Sequence, residues 1–455
     1  MRQFVVLASI CLATAGCSRG PQYPYQDSRR GVDQRTEDLL GRMSAAEKRE
    51  FARNGAANAH WGIPALRLAT NPPGSGLALA ATWNPELVAK VGAISGSAFG
   101  SYSDDPWLAS RMAVAWIGAV QSAGHIGEML DFPCGEGDQR EMNEVRYPPF
   151  RAAIEEAGLW SVQSSCGYAS ALDAWGFRGF VPGDREDDED QARRMLRAMF
   201  GVGMFDEPQP PRDPAEAKRV QRLAAEQGVV LLKNDGDLLP LYATKIHSIG
   251  VLGSDEQLQA VRERAAATAV IKGDAADIVI EFGAQTITVR DAARQALLAA
   301  WPGNPETAHG ATDVIFGDAN PTGRLPVTLP QYPFGCGLSY TSFEWSELRV
   351  FPASPRYGQS VQVVVRVKNA GSRAGAEVVQ VYLRESPRAA ELKAFARVDL
   401  KPGEIRDVAM TLEPRAMTFY DPAVKDWAAA PGVFDVLAGE SSRDIRLKGS
   451  FELYR

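Results

Sequence analysis

The chain is poor in the two residue types that most often announce a metal or redox site. Its 455 residues include four histidines (His60, His125, His247, His309) and five cysteines. The histidines are too scattered to ligate one ion, and no cysteines fall in zinc-motif spacing, so neither a metal nor a cofactor is expected. Beyond the amino-terminal segment only Cys134, Cys166 and Cys336 remain. Their wide, odd spacing outlines no disulfide framework, and reduced cysteines are the expectation. Positive charge is not in excess either. Lys and Arg number 49 against 56 Asp and Glu, a net charge of −7, and no basic face argues for nucleic acid as a partner. Low-complexity runs are missing, and 45% apolar with 23% charged residues is ordinary globular material.

Apolar length is concentrated at the start. Met1-Arg2 is followed by FVVLASICLATAG, too short to span a bilayer as a stable helix and shaped like an export signal. It ends in Thr14-Ala15-Gly16-Cys17, small residues before a cysteine that resemble the lipobox of bacterial lipoproteins. Residues 1–17 are therefore expected to be a signal peptide with Cys17 the lipidated residue, a plain secretory signal being the alternative. The expected location is the periplasm or outer membrane of a bacterium, with membrane attachment only through that lipid. Residues 18–31, rich in Ser, Gly, Pro, Tyr and Arg, suit a tether.

From residue 32 to 206, helical patterns alternate with short apolar runs. Ser44-Ala45-Ala46-Glu47 is a capping box, and Asp104-Asp105-Pro106 opens another helix. The runs around Trp61–Leu68, LWSVQSS and GFRGFV read as strands, which makes this a parallel α/β domain. A linker dense in proline and charge covers 207–216. A second α/β domain over 217–335 carries HSIGVLG, DIVIEFG and TDVIFGD as apolar strands. The remainder, 336–455, alternates apolar and polar residues in short strands without helices, the pattern of a β-sandwich.

The stretch with the most chemistry in it is Trp175–Asp190, WGFRGFVPGDREDDED. A strand pattern stops at Pro182-Gly183, and Asp184 follows. Carboxylates at the carboxyl ends of strands are where barrel and open α/β enzymes keep their reacting groups. The plainer alternative is that Asp184 belongs to an acidic run heading the helix QARRMLRAMF, because acids in a first turn complement the helix dipole. A calcium loop is disfavoured, since the run lacks the spaced Asp/Asn-Gly pattern.

A dozen collinear segments resemble family-3 glycoside hydrolases. They include RTEDLLGRMSAAEK, WGIPALRLA, LALAATWNPEL, SDDPWLASRMAVAWIGAVQ, WGFRGFVPGD, AAEQGVVLLKNDGDLLPL and DVIFGDANPTGRLPVTLP, with GSRAGAEVVQVYLR near the end. The resemblance implies a TIM-like (β/α) barrel, an α/β sandwich domain and a C-terminal fibronectin type III-like domain. It also implies an exo-acting β-glucosidase or β-xylosidase whose nucleophile corresponds to Asp184 and whose substrate is an oligosaccharide or aryl β-glycoside. A retaining glycosidase uses one ionised carboxylate to attack the anomeric carbon. A second carboxyl, about 5–5.5 Å away, protonates the leaving oxygen.

Departures from the family are specific. The 32–206 segment is about 175 residues, whereas a (β/α)8 barrel takes about 250, so the barrel is shortened. Asn71 stands where a sugar-binding aspartate is expected, and Leu130-Asp131-Phe132 stands in place of Lys-His-Phe. Asp131 can still accept from a sugar hydroxyl, but Leu130 cannot replace an ammonium. Tyr168 corresponds to a substrate-binding tyrosine. The loop that supplies the acid/base in the family is missing after ADIVIEFG. The remaining candidates are Glu281, which the pattern also allows as a partly buried strand residue, and Glu136 in CGEGD. Two readings follow: an exported glycosidase, or a catalytically impaired relative serving as a carbohydrate-binding or envelope scaffold protein.

Overall fold

The computed structural model describes residues 22–66, 68, 76–95, 102–135, 137–184, 187–206, 213–265 and 268–455. Cys17, Asn71 and Glu136 lie outside the described residues.

The chain begins with α1 (Val32–Arg42) and α2 (Ala45–Asn54), which present Leu39, Leu40 and Phe51 to a core shared with Met195, Leu196 and Met199. The Ser44 hydroxyl accepts from Glu47 N–H, and Glu47 returns a bond to Ser44 N–H, so the expected capping box starts α2. Next come α3 (Gly76–Ala80), α4 (Pro85–Ser95) and α5 (Pro106–Ser122). Asp105 caps α5 by accepting from Trp107 and Leu108 N–H.

Strand β1 (Glu128–Phe132) is followed by the single turn α6 (Gln139–Glu141), a π-helical turn and α7 (Pro148–Ala157). Strand β2 (Ser161–Ser164), α8 (Ser170–Ala174) and α9 (Asp188–Gly201) complete the domain. β1 and β2 pair in parallel, and single parallel bridges extend the array on both sides, Leu68 with Ile126 and Phe180 with Ser161. Four segments thus lie side by side in chain order and run the same way. Among the described residues the pairing stops there, leaving an open arc of a TIM-like barrel. Two expected strands shrink to bridges: Ile63 and Leu68 contribute one each within 61–68, and Phe180 alone pairs within 176–181. At the latter the turn Trp175–Phe177 folds back onto α8, with Phe177 N–H bonded to Leu172 O, and consumes the residues that would lengthen the strand. Gly179 is forced by proximity, because a Cβ there would stand 2.1 Å from the carbonyl oxygen of Trp160.

Arg35 closes the domain. It is buried, donates from Nε to Tyr25 O, and binds both oxygens of Asp206, at 2.7 and 3.2 Å, tying the start of the domain to its end.

The second domain runs through α10 (Pro214–Gly228), β3 (Val230–Asn234), β4 (Ser248–Leu252), α11 (Asp255–Arg264), β5 (Ala269–Lys272), β6 (Ile278–Phe282), β7 (Thr286–Arg290), β8 (Gln295–Ala299) and α12 (Thr307–Phe316). The six strands form one mixed sheet in the order β3-β8-β7-β6-β4-β5. TDVIFGD is not a strand but the end of α12, whose Ala308, Ala311, Val314 and Ile315 are buried at helical spacing. A short apolar run bounded by glycine does not distinguish the two from sequence.

The third domain packs the sheet β13-β10-β9 on β12-β11-β16-β17, from β9 (Phe343–Phe351), β10 (Val361–Asn369), β11 (Gly375–Glu385), β12 (Glu391–Leu400), β13 (Ile405–Leu412), β16 (Gly432–Gly439) and β17 (Ile445–Leu453). A small ribbon of β14 (Phe419–Asp421) and β15 (Asp426–Ala428) lies beside it. Val361, Val363, Val365 and Val367 all point into its core, as the alternation predicts. The domains are joined through Arg324, whose guanidinium binds Glu377 at 2.9 Å with both side chains 1% exposed.

Candidate active site

The carboxyl edge of the parallel arc is built from three loops, those leaving β1, β2 and the Phe180 bridge. The last is a tight turn. Asp184 N–H bonds to Val181 O at 3.2 Å, Pro182 takes the second position, and Gly183 takes the third at φ +82°. Proline followed by a positive-φ glycine is the chemistry of a type II turn, and it delivers half-buried Asp184 at the end of its strand position. The helix begins later. Asp187 is its cap, accepting from Glu189 and Asp190 N–H at 2.9 and 3.2 Å. Asp188 pairs with Arg49 and Arg53, Glu189 with Lys48 and Arg193, and Asp190 with Arg194. The plain reading of the acidic run therefore holds for 187–190, while Asp184 stands apart from it.

The cysteine expectation is overturned. Cys134 and Cys166 form a disulfide with Cα atoms 5.9 Å apart, and Cys336 is free. Register explains why: Phe132 lies beside Ser164, so each cysteine sits two residues past a paired position. Thirty-two residues of sequence separation carried no signal of that neighbourhood.

Tyr168, in the loop after β2, has its hydroxyl 2.9 Å from Asp173 Oδ1 and 3.2 Å from Phe177 O, and accepts from Arg194 Nη1 at 3.0 Å. The Arg194 guanidinium lies 4.5 Å from the ring centre and also binds Asp190 Oδ2 and Gly179 O. Burial, helped by Asp173, pushes the phenol up to about 12. The hydroxyl is thus held in a local network that braces the Gly179–Asp184 segment. Nothing in the sequence pattern marked Arg194 for this role.

Asp131 sits at the carboxyl end of β1 with φ +59° and an exposed side chain. It shares a cleft of about 390 Å³ with Leu130, Glu141 and Arg146. Glu128, at the other end of β1, is buried, accepts from Ser161 Oγ at 3.0 Å and is pushed up by burial. It lies in the row of Phe180, four residues short of Asp184, on the wrong level to meet it.

Glu281 lies in β6, paired along the backbone to Leu252 and Thr288, with an exposed rather than partly buried side chain. Residues 283–285 then make a three-residue connection to β7, closed by Gly283 N–H on Thr286 O. A tight hairpin thus follows ADIVIEFG, where the sequence lacks the segment that supplies the acid/base in the family it resembles.

Two stretches of the chain match described domains, residues 257–347 the "Glycosyl hydrolase family 3 C-terminal domain" and residues 377–442 the "Fibronectin type III-like domain". Residues 257–347 thus resemble the C-terminal domain of glycoside hydrolase family 3. A thermostable β-glucosidase B of Acetivibrio thermocellus is 34% identical over 200 residues, 34% of this chain and 26% of that one. The chain thus spans about a quarter of the length of the curated β-glucosidase it matches. A β-xylosidase of Formosa agariphila aligns over 685 positions at 22% identity, covering 92% of this chain and 95% of the relative. Those 685 positions exceed the 455 residues of this chain, so the relative carries long segments that are missing here. The fold agrees with the crystal structure of a β-D-glucoside glucohydrolase from Trichoderma reesei, with a TM-score of 0.77 at 19% identity over 95% of this chain and 100% of that one.

Proposed function

We propose that the protein is an exported O-glycosyl hydrolase that releases sugar from β-linked glucosides or xylosides by the retaining route, with Asp184 as nucleophile. The observation that carries this reading is the turn Val181–Asp184, which ends a parallel strand position in a carboxylate at the carboxyl edge of the arc. Relatives named β-glucosidase and β-xylosidase support the substrate class. In the reaction, an Asp184 oxygen bonds to the anomeric carbon as the glycosidic bond breaks. A second carboxyl gives its proton to the leaving oxygen and then takes one from the water that cleaves the ester. Glu281 and Glu136 remain the candidates for that carboxyl. Asp131 is suited to accept from a sugar hydroxyl, with Asn71 and Tyr168 as further contacts. Export is supported by the apolar amino terminus and by the Cys134–Cys166 bridge, since disulfides persist in oxidising compartments. Attachment through Cys17 is part of the same proposal.

The test compares protein lacking residues 1–17 with its Asp184→Ala variant on aryl β-glucoside and β-xyloside. Turnover in the first and none in the second is the expected result, together with a covalent 2-fluoro-glycosyl adduct on the peptide containing Asp184. Equal background in both sinks the hydrolase. The impaired, carbohydrate-binding reading then takes over; it is favoured by the Tyr168 hydroxyl being held by Asp173 and Arg194 and by the hairpin after Glu281.

A further inference from the structure

A cleft of about 860 Å³ opens between α10 and the C-terminal sandwich, far larger than the one beside Asp131 and of the size that small ligands fill. Arg397 forms part of its wall. Strand β12 places Arg397 opposite Val378, with its side chain only 7% exposed. Its Nη2 reaches Asp399 at 3.3 Å, but Nε and Nη1 have no hydrogen-bond partner among the described residues. The hydroxyl of Thr322, on the same wall, is buried without a partner as well.

Nearby charges compensate Arg397 only in part. Arg324 is a second buried guanidinium, and the buried carboxylate Glu377 is committed to Arg324 and to the N–H of Val378. Asp399 is 78% exposed, so water screens it. Of the other acids lining the cleft, Glu404 is held by Arg406 and by Lys401 N–H. Glu226 is pushed up by burial and by Asp313 beside it, and it pairs with Arg222 at 3.4 Å. A buried guanidinium with unmet donors is destabilising, and more so when the charge is unpaired. An oxyanion is the partner that meets several such donors at once.

We propose that this cleft binds a small molecule through a carboxylate or phosphate group received by Arg397, with Thr322 donating to it and Lys401 at the mouth. The site is independent of the glycosidase reading and requires nothing of Asp184.

The test is calorimetric titration of the protein at constant ionic strength with inorganic phosphate, with D-glucuronate and with neutral D-glucose. Saturable binding of phosphate, glucuronate or both, with none of glucose, is expected, and the two anions tell the two ligand sources apart. Arg397→Gln should weaken binding about tenfold or more, as loss of a charge-assisted bond does. Arg397→Lys should retain part of it, and Thr322→Val and Lys401→Ala, which leave the buried charge in place, should weaken it several-fold. Arg349→Gln, on the outer face of β9, should change nothing. Three results would overturn the site: no saturable anion binding up to about 10 mM, binding of glucose as strong as that of the anions, or anion binding unaltered in both Arg397→Gln and Thr322→Val.

Discussion

Cys134 and Cys166 join the loops leaving β1 and β2 at the same edge where the turn after Phe180 delivers Asp184. Among the described residues those loops have no further barrel strands beside them, and the bridge ties one to the other. Protein lacking residues 1–17 should show one reactive thiol when denatured without reductant and three after reduction. The double variant Cys134→Ser, Cys166→Ser should lose about 2–4 kcal/mol of stability in denaturant titration. Three thiols before reduction would show the bridge does not form.

The turn makes a sharper claim on activity than a simple removal of the carboxylate. Gly183 has φ +82°, yet a Cβ there would meet nothing within 4 Å among the described residues. Gly183→Ala therefore strains the backbone, by about 1–2 kcal/mol, without a clash. If Asp184 is the nucleophile, a shift of its carboxylate by about an ångström should lower kcat by about a hundredfold. KM should change much less. Steady-state kinetics on an aryl glycoside, alongside thermal unfolding, separates this from global loss of fold.

Two acids near helix starts should bend the pH–stability curve in opposite directions. Glu47 accepts from Ser44 N–H, Ser44 Oγ, Asn58 Nδ2 and Trp61 Nε1, and these bonds pull its carboxyl down to about 2. Its folded value is below the unfolded one, so its contribution is complete above about pH 4.5 and is lost as pH falls through 2. Solvent screening keeps it to about 1 kcal/mol. Glu47→Gln should flatten the acid limb of an unfolding series by that amount.

Asp105 behaves in the reverse sense. Burial raises it to about 6 in spite of the bonds it accepts from Trp107 and Leu108 N–H. Below about pH 4 both folded and unfolded forms hold the proton and nothing is lost. Between 4 and 6 the unfolded chain releases it first, so stability declines as pH rises, by on the order of 2 kcal/mol for a side chain that keeps some contact with water. Asp105→Asn preserves a good cap and should erase that decline. A variant that tracks the parent from pH 4 to 7 would refute the assignment.

What could be read in the sequence was what neighbours in the chain decide. Ser44 and Glu47 are three apart, Asp105 directly precedes Pro106, and Val361 to Val367 alternate, so each local rule had its partner in view. The collinear segments likewise carried the three-domain architecture. Contacts between distant residues were not legible. Cys134 and Cys166 become neighbours only through the β1–β2 register, and Arg194 reaches Tyr168 only once α9 folds back on the loop. TDVIFGD was read as a strand because its apolar run is too short for period to decide, and packing of α12 against α10 decided it instead.

The contact between the second and third domains offers the strictest energetic test. Arg324 and Glu377 are each 1% exposed, 2.9 Å apart, and supplied by different domains. Removing either partner leaves the other charged and dry. Arg324→Leu and Glu377→Leu should each cost about 3–5 kcal/mol, even though the pair itself is worth little against apolar residues of similar volume. The double Leu variant should consequently be more stable than either single one, by an interaction term of at least 1 kcal/mol in a double-mutant cycle. The nearby Arg397 modifies the expectation in one direction. Glu377→Leu leaves Arg324 unpaired and also removes a buried charge that helps to offset the Arg397 guanidinium, after the larger contribution of Asp399. It should therefore be the worse of the two single substitutions in denaturant unfolding, and equal costs for the pair would show that Arg397 draws no support from Glu377.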